Sequence, residues 1–202
     1  MSHCARYYVQ LILMSTLFVC FYPVAACAIE ILGVNIPNEI VLAKSEKKLI
    51  LNGYAVRTLT GQKSYVAALY LPNIEKRPEM ILLNDDPSSM QLFFLQDDFD
   101  PEEFLNLLTE AVILNTPDEK KRKAEEEKLI ALKAAFKQSI NAGDVLVLDY
   151  SPSFGLRVSL NKKQLIAWPQ AKLFYNMILK TWIGSRPPST AFKQAILNFP
   201  AI

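Results

Sequence analysis

The residue order predicts an α+β fold in which a largely antiparallel sheet carries helices packed on one face. Three observations lead there. Five segments in the first half are rich in β-branched, aromatic and aliphatic residues and are separated by Pro, Asn and Gly. Two helix-start signals follow, each with Pro just inside the start. Three short strands and two more helices then close the chain, so strands and helices come in blocks and do not alternate.

The five early strands are Ile29 to Val34, Glu39 to Ala43, Lys48 to Thr60, Lys63 to Leu71 and Met90 to Gln96. Thr60-Gly61-Gln62 is short enough to make a hairpin of the third and fourth. Asp100-Pro101-Glu102-Glu103 and Thr116-Pro117-Asp118-Glu119 each supply a capping side chain, Pro at the first helical position and an acid in the first turn. Helices are therefore expected from about Pro101 and Pro117. In the second, Leu129, Leu132, Phe136 and Ile140 recur at helical spacing, and Gly143 ends it. The sheet resumes with Asp144 to Tyr150, Leu156 to Leu160 and Gln164 to Ala167. A helix from Pro169 presents Ala171, Phe174, Met177, Ile178 and Trp182 on one side and stops at Gly184, and a last one runs from about Thr190 to Leu197. No repeat or Gly/Ser linker divides Ile29 to Ile202, which reads as one domain.

The first 28 residues read as an export signal: Arg6, then an uncharged and mostly apolar run from Tyr7 to Val24, then the small-x-small pattern Ala26-Cys27-Ala28. Cleavage after Ala28 leaves a mature domain of residues 29–202 and predicts a periplasmic location. Val24-Ala25-Ala26-Cys27 also fits a lipoprotein signal, with Cys27 lipidated, and the uncut stretch is long enough to span a bilayer; only in these two cases is membrane association expected. All three cysteines and the single histidine, His3, lie in this segment. A chain cut after Ala28 has no disulfide, no Ser-His-Asp triad, no Cys-His pair and no ordinary zinc site, so no metal and no cofactor is expected. Without Arg6 the balance is 21 basic to 20 acidic residues, which lacks the basic excess of a nucleic-acid binder.

The charge cluster Asp118 to Lys128 holds five bases and five acids and reads as a solvated helix face, with Lys121 and Glu125, Arg122 and Glu126, and Lys123 and Glu127 one turn apart. Arg57 is more informative. Strand alternation puts it on the same side as Leu49, Leu51, Ala55 and Leu59. An unpaired buried guanidinium costs several kcal/mol, so a carboxylate, a set of carbonyls or a ligand anion should meet it. Two plain alternatives stay open: pairing with an internal Asp or Glu, or a bulge at Gly53 that flips the alternation and exposes Arg57. Tyr65 lies at a similar distance from the Gly61 turn in the next strand, where it is either a second donor aimed at the same anion or a core tyrosine bonded to a carbonyl.

Gly33-Val34-Asn35-Ile36-Pro37, Leu51-Asn52-Gly53-Tyr54-Ala55-Val56-Arg57 and Lys63-Ser64-Tyr65-Val66-Ala67-Ala68-Leu69-Tyr70-Leu71, with Gly143-Asp144, Tyr150 through Gly155, Leu160-Asn161 and Trp182-Ile183-Gly184 in order, resemble the blocks of bacterial chalcone isomerase-like proteins. The resemblance implies an open-faced β-sandwich with a ligand cleft between sheet and helices. It further implies that Arg57, like the substrate-anchoring Arg of the plant isomerases, and Tyr65, as in the related plant fatty-acid-binding proteins, hold a carboxylate. Asn115 is similar to one isomerase positioning residue, but no tyrosine occurs between Pro101 and Ala142, so a catalytic role is not expected. The expected activity is non-catalytic binding of a fatty acid or similar small apolar carboxylate, with Leu108, Val112, Phe174 and Met177 lining the cleft. Two alternatives have their own signatures. An envelope interaction protein without ligand should have a filled cleft and an acid paired to Arg57. An isomerase or lyase should place a further titratable group opposite Arg57.

Overall fold

In the computed structural model, residues 28–42 and 47–198 are described. The segment expected as an export signal, with His3, Cys4, Cys20 and Cys27, lies outside them except for Ala28. Nine strands and five helices follow in order: β1 (Ala28–Ile31), β2 (Val34–Pro37), β3 (Glu39–Leu42), β4 (Lys47–Leu59), β5 (Gln62–Leu71), α1 (Pro78–Leu83), β6 (Ser88–Phe94), α2 (Pro101–Asn115), α3 (Glu119–Ala135), β7 (Val145–Ser151), β8 (Gly155–Leu160), β9 (Lys163–Trp168), α4 (Lys172–Ile183) and α5 (Thr190–Ile196). Strands β3 to β9 form one antiparallel sheet in sequence order, and β1 and β2 make a separate hairpin. The helices cover one face of the sheet, as the α+β reading expected.

Period-2 alternation divides the sheet into two apolar layers. Toward the helices point Ala67, Leu69, Leu92, Leu148 and Val158, which meet Phe174, Tyr175, Ile178 and Trp182 of α4. Away from them point Val66, Ala68, Tyr70 and Phe93, which meet Ile36 of the hairpin and Leu42 and Leu49. Apolar residues on both sides mark β5 as an interior strand, and it is buried from Ser64 to Leu71. The Tyr70 hydroxyl donates to the Pro37 carbonyl at 2.9 Å and pins the hairpin to this face.

Helix starts follow their side chains. Asp100 accepts from the Glu102 amide with Pro101 in the first turn. The next helix is capped by Asp118, which accepts from the Lys121 amide, and not by Thr116, so Pro117 stands before the helix. That helix stops at Ala135; Phe136 to Asp144 runs irregularly and contributes one bridge between Ile140 and Phe99. Its ion pairs differ from those expected. Glu119 pairs with Lys123 at 2.9 Å and Glu125 with Lys128 at 2.7 Å, because the acid N-terminal to the base is the better orientation on a helix. Arg122 instead donates to the Thr116 carbonyl at 2.6 Å. The stretch expected as one strand from Ile29 to Val34 folds into the β1–β2 hairpin, turning at Leu32 and Gly33, both at positive φ. Helix α1 was not foreseen, although Pro78 and Glu79 stand at its start.

Strand β4 contains the detail that positions the site. Leu51 pairs with Tyr70 and Gly53 with Leu69, so Asn52 is an extra residue, a bulge that reverses the alternation. Leu49 and Leu51 therefore face the hairpin side, while Ala55 and Leu59 face the helices. The expectation that all four share a side with Arg57 holds only beyond the bulge. The buried Asn52 amide donates to the Ile196 carbonyl at 2.9 Å and accepts from the Glu75 amide at 2.8 Å, which ties α5 and the β5–α1 loop to the sheet. A Cβ on Gly53 would run into the carbonyl oxygens of Ala195 and Ile196. Replacing Gly53 by Ala should therefore push α5 off the sheet and cost about 1–3 kcal/mol; thermal unfolding followed by circular dichroism checks this, and an unchanged midpoint would contradict the close approach.

Candidate functional site

The bulge turns Arg57 to the side of the sheet that faces the helices, where it is half-buried. Register makes it the cross-strand partner of Tyr65, with a second irregularity immediately after Arg57 that lets the hairpin close around Ser64. Both side chains border a cavity of about 50 Å3, together with Leu59, Phe104 and Leu108 below α2 and Thr181 and Trp182 of α4. Leu107, Ala111 and Pro188 complete its rim, and Leu107 is 37% exposed, on the side toward solvent.

Hydrogen-bond donors dominate this cavity. The Trp182 indole N–H donates to the Tyr65 hydroxyl at 3.2 Å. The Arg57 guanidinium stands beside the same phenol, and none of the ion pairs among the described residues includes it. The buried Thr181 hydroxyl has no hydrogen-bond partner. Burial raises the Tyr65 pKa, opposed by the Trp182 bond and by the charge and hydrogen bonding of Arg57. Tyr65 is held in place by rings, at 5.8 Å from Phe94 and edge-on to Phe104 at 6.2 Å. A phenol, a hydroxyl and a guanidinium thus converge on one small space with no acid among its bordering residues. An anion is the species that such a set can bind.

The other residues singled out in the sequence are distributed differently. Leu108 borders the cavity. Val112, Phe174 and Met177 are buried in the helix-side core without bordering it, and Phe174 packs edge-on against Trp168 at 5.2 Å. Asn115 is buried away from the cavity as a clamp: its amide donates to the carbonyls of Ala111 at 3.0 Å and Arg186 at 2.9 Å and accepts from the Arg186 amide at 2.8 Å. Its hydrogen-bonding groups are spent on holding the α4–α5 loop against the end of α2. Gly184 is required beside it, since a Cβ there would meet the Asn115 amide oxygen at 2.5 Å. Thr181 was missed by sequence reasoning; its signal is a hydroxyl in an otherwise apolar helix stretch, next to Trp182. Among the described residues that border the cavity, Tyr65 is the titratable side chain beside Arg57. Among the described residues no group of three or more His, Cys, Asp or Glu is arranged to hold a metal ion, and no helix is long and apolar enough to cross a membrane.

A family model described as chalcone isomerase-like matches residues 28–198. No curated protein matches the chain. Among solved structures the fold is similar to that of a fatty-acid-binding protein from Arabidopsis thaliana (AtFAP1), with a TM-score of 0.64 at 16% sequence identity, covering 85% of this chain and 95% of that one.

Two outcomes follow from the site. Changing Tyr65 to Phe leaves the Trp182 indole N–H buried without an acceptor and should cost about 1–2 kcal/mol, with an altered tryptophan emission; denaturant unfolding at neutral pH measures it, and a variant as stable as the parent would refute the bond. Burial also raises the phenols of Tyr65, Tyr70 and Tyr175 above their ordinary 10.0. Below pH 10 folded and unfolded chains both keep these protons, so stability does not depend on them. Above it the unfolded chain loses them first, and stability should fall by up to about 1.4 kcal/mol per pH unit for each tyrosine. Denaturant midpoints between pH 9 and about 12 read this slope, and a flat profile would contradict the burial.

Proposed function

The chain belongs to the chalcone isomerase-like family, and from that premise we propose that it is a non-catalytic binding protein for a fatty acid or similar small apolar carboxylate, acting in the periplasm after removal of residues 1–28. The observation that carries this reading is a guanidinium on the helix side of the sheet with a phenol and an unpartnered hydroxyl around it and no acid of its own. Arg57 supplies the charge and, with its planar fork, suits the two oxygens of a carboxylate. Tyr65, fixed by Trp182, presents its hydroxyl proton to the same group, and Thr181 offers a third donor. A similar fold is described as a fatty-acid-binding protein, which adds support at the level of architecture.

The size of the cavity defines how binding has to proceed. About 50 Å3 takes a carboxyl group but not an acyl chain, since a recess for a drug-sized ligand is about 300–1,000 Å3. The tail therefore leaves past Leu107, Ala111 and Pro188, either along the surface of α2 or by parting α2 from α4. A second reading, an envelope protein that keeps the fold without a ligand, is favoured by the small cavity alone. That reading gives no role to the donors of Arg57, Tyr65 and Thr181 that converge on the cavity.

Mass spectrometry of protein purified from the envelope fraction tests both halves of the proposal. Under denaturing conditions the mass should correspond to a chain starting at Ile29; an added lipid on Cys27 or an uncut chain would overturn the soluble periplasmic assignment. Under native conditions a fatty acid should accompany the protein, and Arg57→Ala should weaken its binding by about 10–100-fold, the size of a lost charge-assisted pair. A ligand-free parent that also fails to bind added fatty acid, or an Arg57→Ala variant of equal affinity, would refute the site.

A further inference from the structure

The opposite face of the sheet, which no helix among the described residues covers, carries a second recess of about 850 Å3. Its floor is Phe93 of β6 with Val145 and Val147 of β7, and Pro37, Ile40 and Val41 form the wall beside it. At one end the register places three polar side chains in a row across neighbouring strands: Ser89 opposite Asp149, and Asp149 opposite Arg157. Asp149 and Arg157 both border the recess. Val145 lies four residues from Asp149 on the same strand, about 13 Å away. The recess thus has an apolar strip along Val147, Val145 and Phe93, flanked by Gln91, Ser159 and Gln164 and closed at the far end by Asn161 and Lys162, with a volume typical of sites for small organic molecules.

The polar end is incomplete. Cross-strand neighbours of opposite charge ordinarily pair, yet neither Asp149 nor Arg157 takes part in an ion pair among the described residues. The Arg157 guanidinium lies over the Phe154 ring, 4.5 Å from its centre, which fixes its plane and leaves its N–H groups available at its edge. The Ser89 hydroxyl is buried, and the Asp149 carboxyl opposite it is its polar neighbour. Burial raises the Asp149 pKa, opposed by hydrogen bonding from Ser89 and by the charge of Arg157.

These groups restrict what can fill the recess. A lone carboxylate satisfies Arg157 but sets its oxygens against the Asp149 carboxyl. A lone ammonium satisfies Asp149 but faces the guanidinium. A head that carries an acceptor and a donor side by side meets both: its carbonyl oxygen accepts from Arg157 while its N–H donates to Asp149. We propose that the helix-free face is a second ligand site, which binds a small amphiphile with a carboxamide head at Asp149 and Arg157 and an apolar body along Val147, Val145 and Phe93. It is separate from the carboxylate site, which lies across the thickness of the sheet and uses donors only.

The two faces report on themselves through different methyl groups, so titration of the purified, methyl-labelled protein with octanamide, octanoate and octylamine tests the proposal. Octanamide should shift the methyl signals of Val145 and Val147, and octanoate and octylamine should do so at least about tenfold more weakly, the worth of one charge-assisted bond. Arg157→Gln should weaken the octanamide response by about tenfold or more, and Ser159→Trp, whose indole would fill the recess, should abolish it. Leu108 methyls report the helix face and confirm that each variant is folded. No Val147 shift up to the solubility limit of octanamide, a shift that survives in Ser159→Trp, or equal responses to all three probes would overturn the assignment. None of these outcomes bears on whether Arg57 binds a carboxylate.

Discussion

A guanidinium turned toward the apolar layer between a sheet and its helices has to be met by hydrogen-bonding groups, by an anion or by water at its edge, and in this fold the turning is done by one extra residue in β4, which leaves Arg57 half-buried. The bulge at Asn52 sends Leu49 and Leu51 to one side of the sheet and Ala55, Arg57 and Leu59 to the other. The same bulge spends its amide on Ile196 and Glu75, and its neighbour Gly53 lets α5 lie directly on the strand. The element that aims the cation is therefore also one that anchors the helix layer, so site geometry and helix packing are one construction.

Much of this could be read from the residues, and the failures have identifiable causes. Interior strand β5, the hairpin at Gly61 and the cap at Asp100 each follow from a local rule that the surroundings do not override. The side faced by Arg57 was harder. Gly53 announces a bulge, but the parity of a long strand depends on whether the extra residue lies before or after the residue of interest, and only the register with β5 settles that. A bulge at Gly53 that exposes Arg57 was one open alternative; the extra residue falls at Asn52 and turns Arg57 to the helix side, where it is half-buried. Val112, Phe174 and Met177 share the apolar pattern of cleft-lining residues, but periodicity does not distinguish a side chain that borders an opening from one packed behind it. Asn115 shows the same limit for polar groups, since an amide at a helix end serves equally as ligand donor or as clamp until its partners are known.

The two sides of the sheet solve opposite packing problems. Toward the helices, Phe174, Ile178 and Trp182 of α4 fill the space closely and leave a small opening around Arg57, Tyr65 and Thr181. On the other side the β1–β2 hairpin is too small to cover seven strands, and β6 to β8 present their outward row to a wide recess. One opening is small and lined with donors, the other is broad and mixes a cation with an acid. The sheet separates them with a single layer of backbone.

A curled sheet that does not close on itself ends in two rims, the four-residue β3 and the six-residue β9, each paired with one strand among the described residues. Such rims invite a neighbouring copy to add its own strand and start a fibre. Here β3 is too short to template much pairing, and β9 slips register against β8 at Ser159 and runs out of strand just before Pro169. A short border on one side and an interrupted one on the other thereby offer a neighbouring copy little straight backbone to pair with, although the sheet does not close into a barrel.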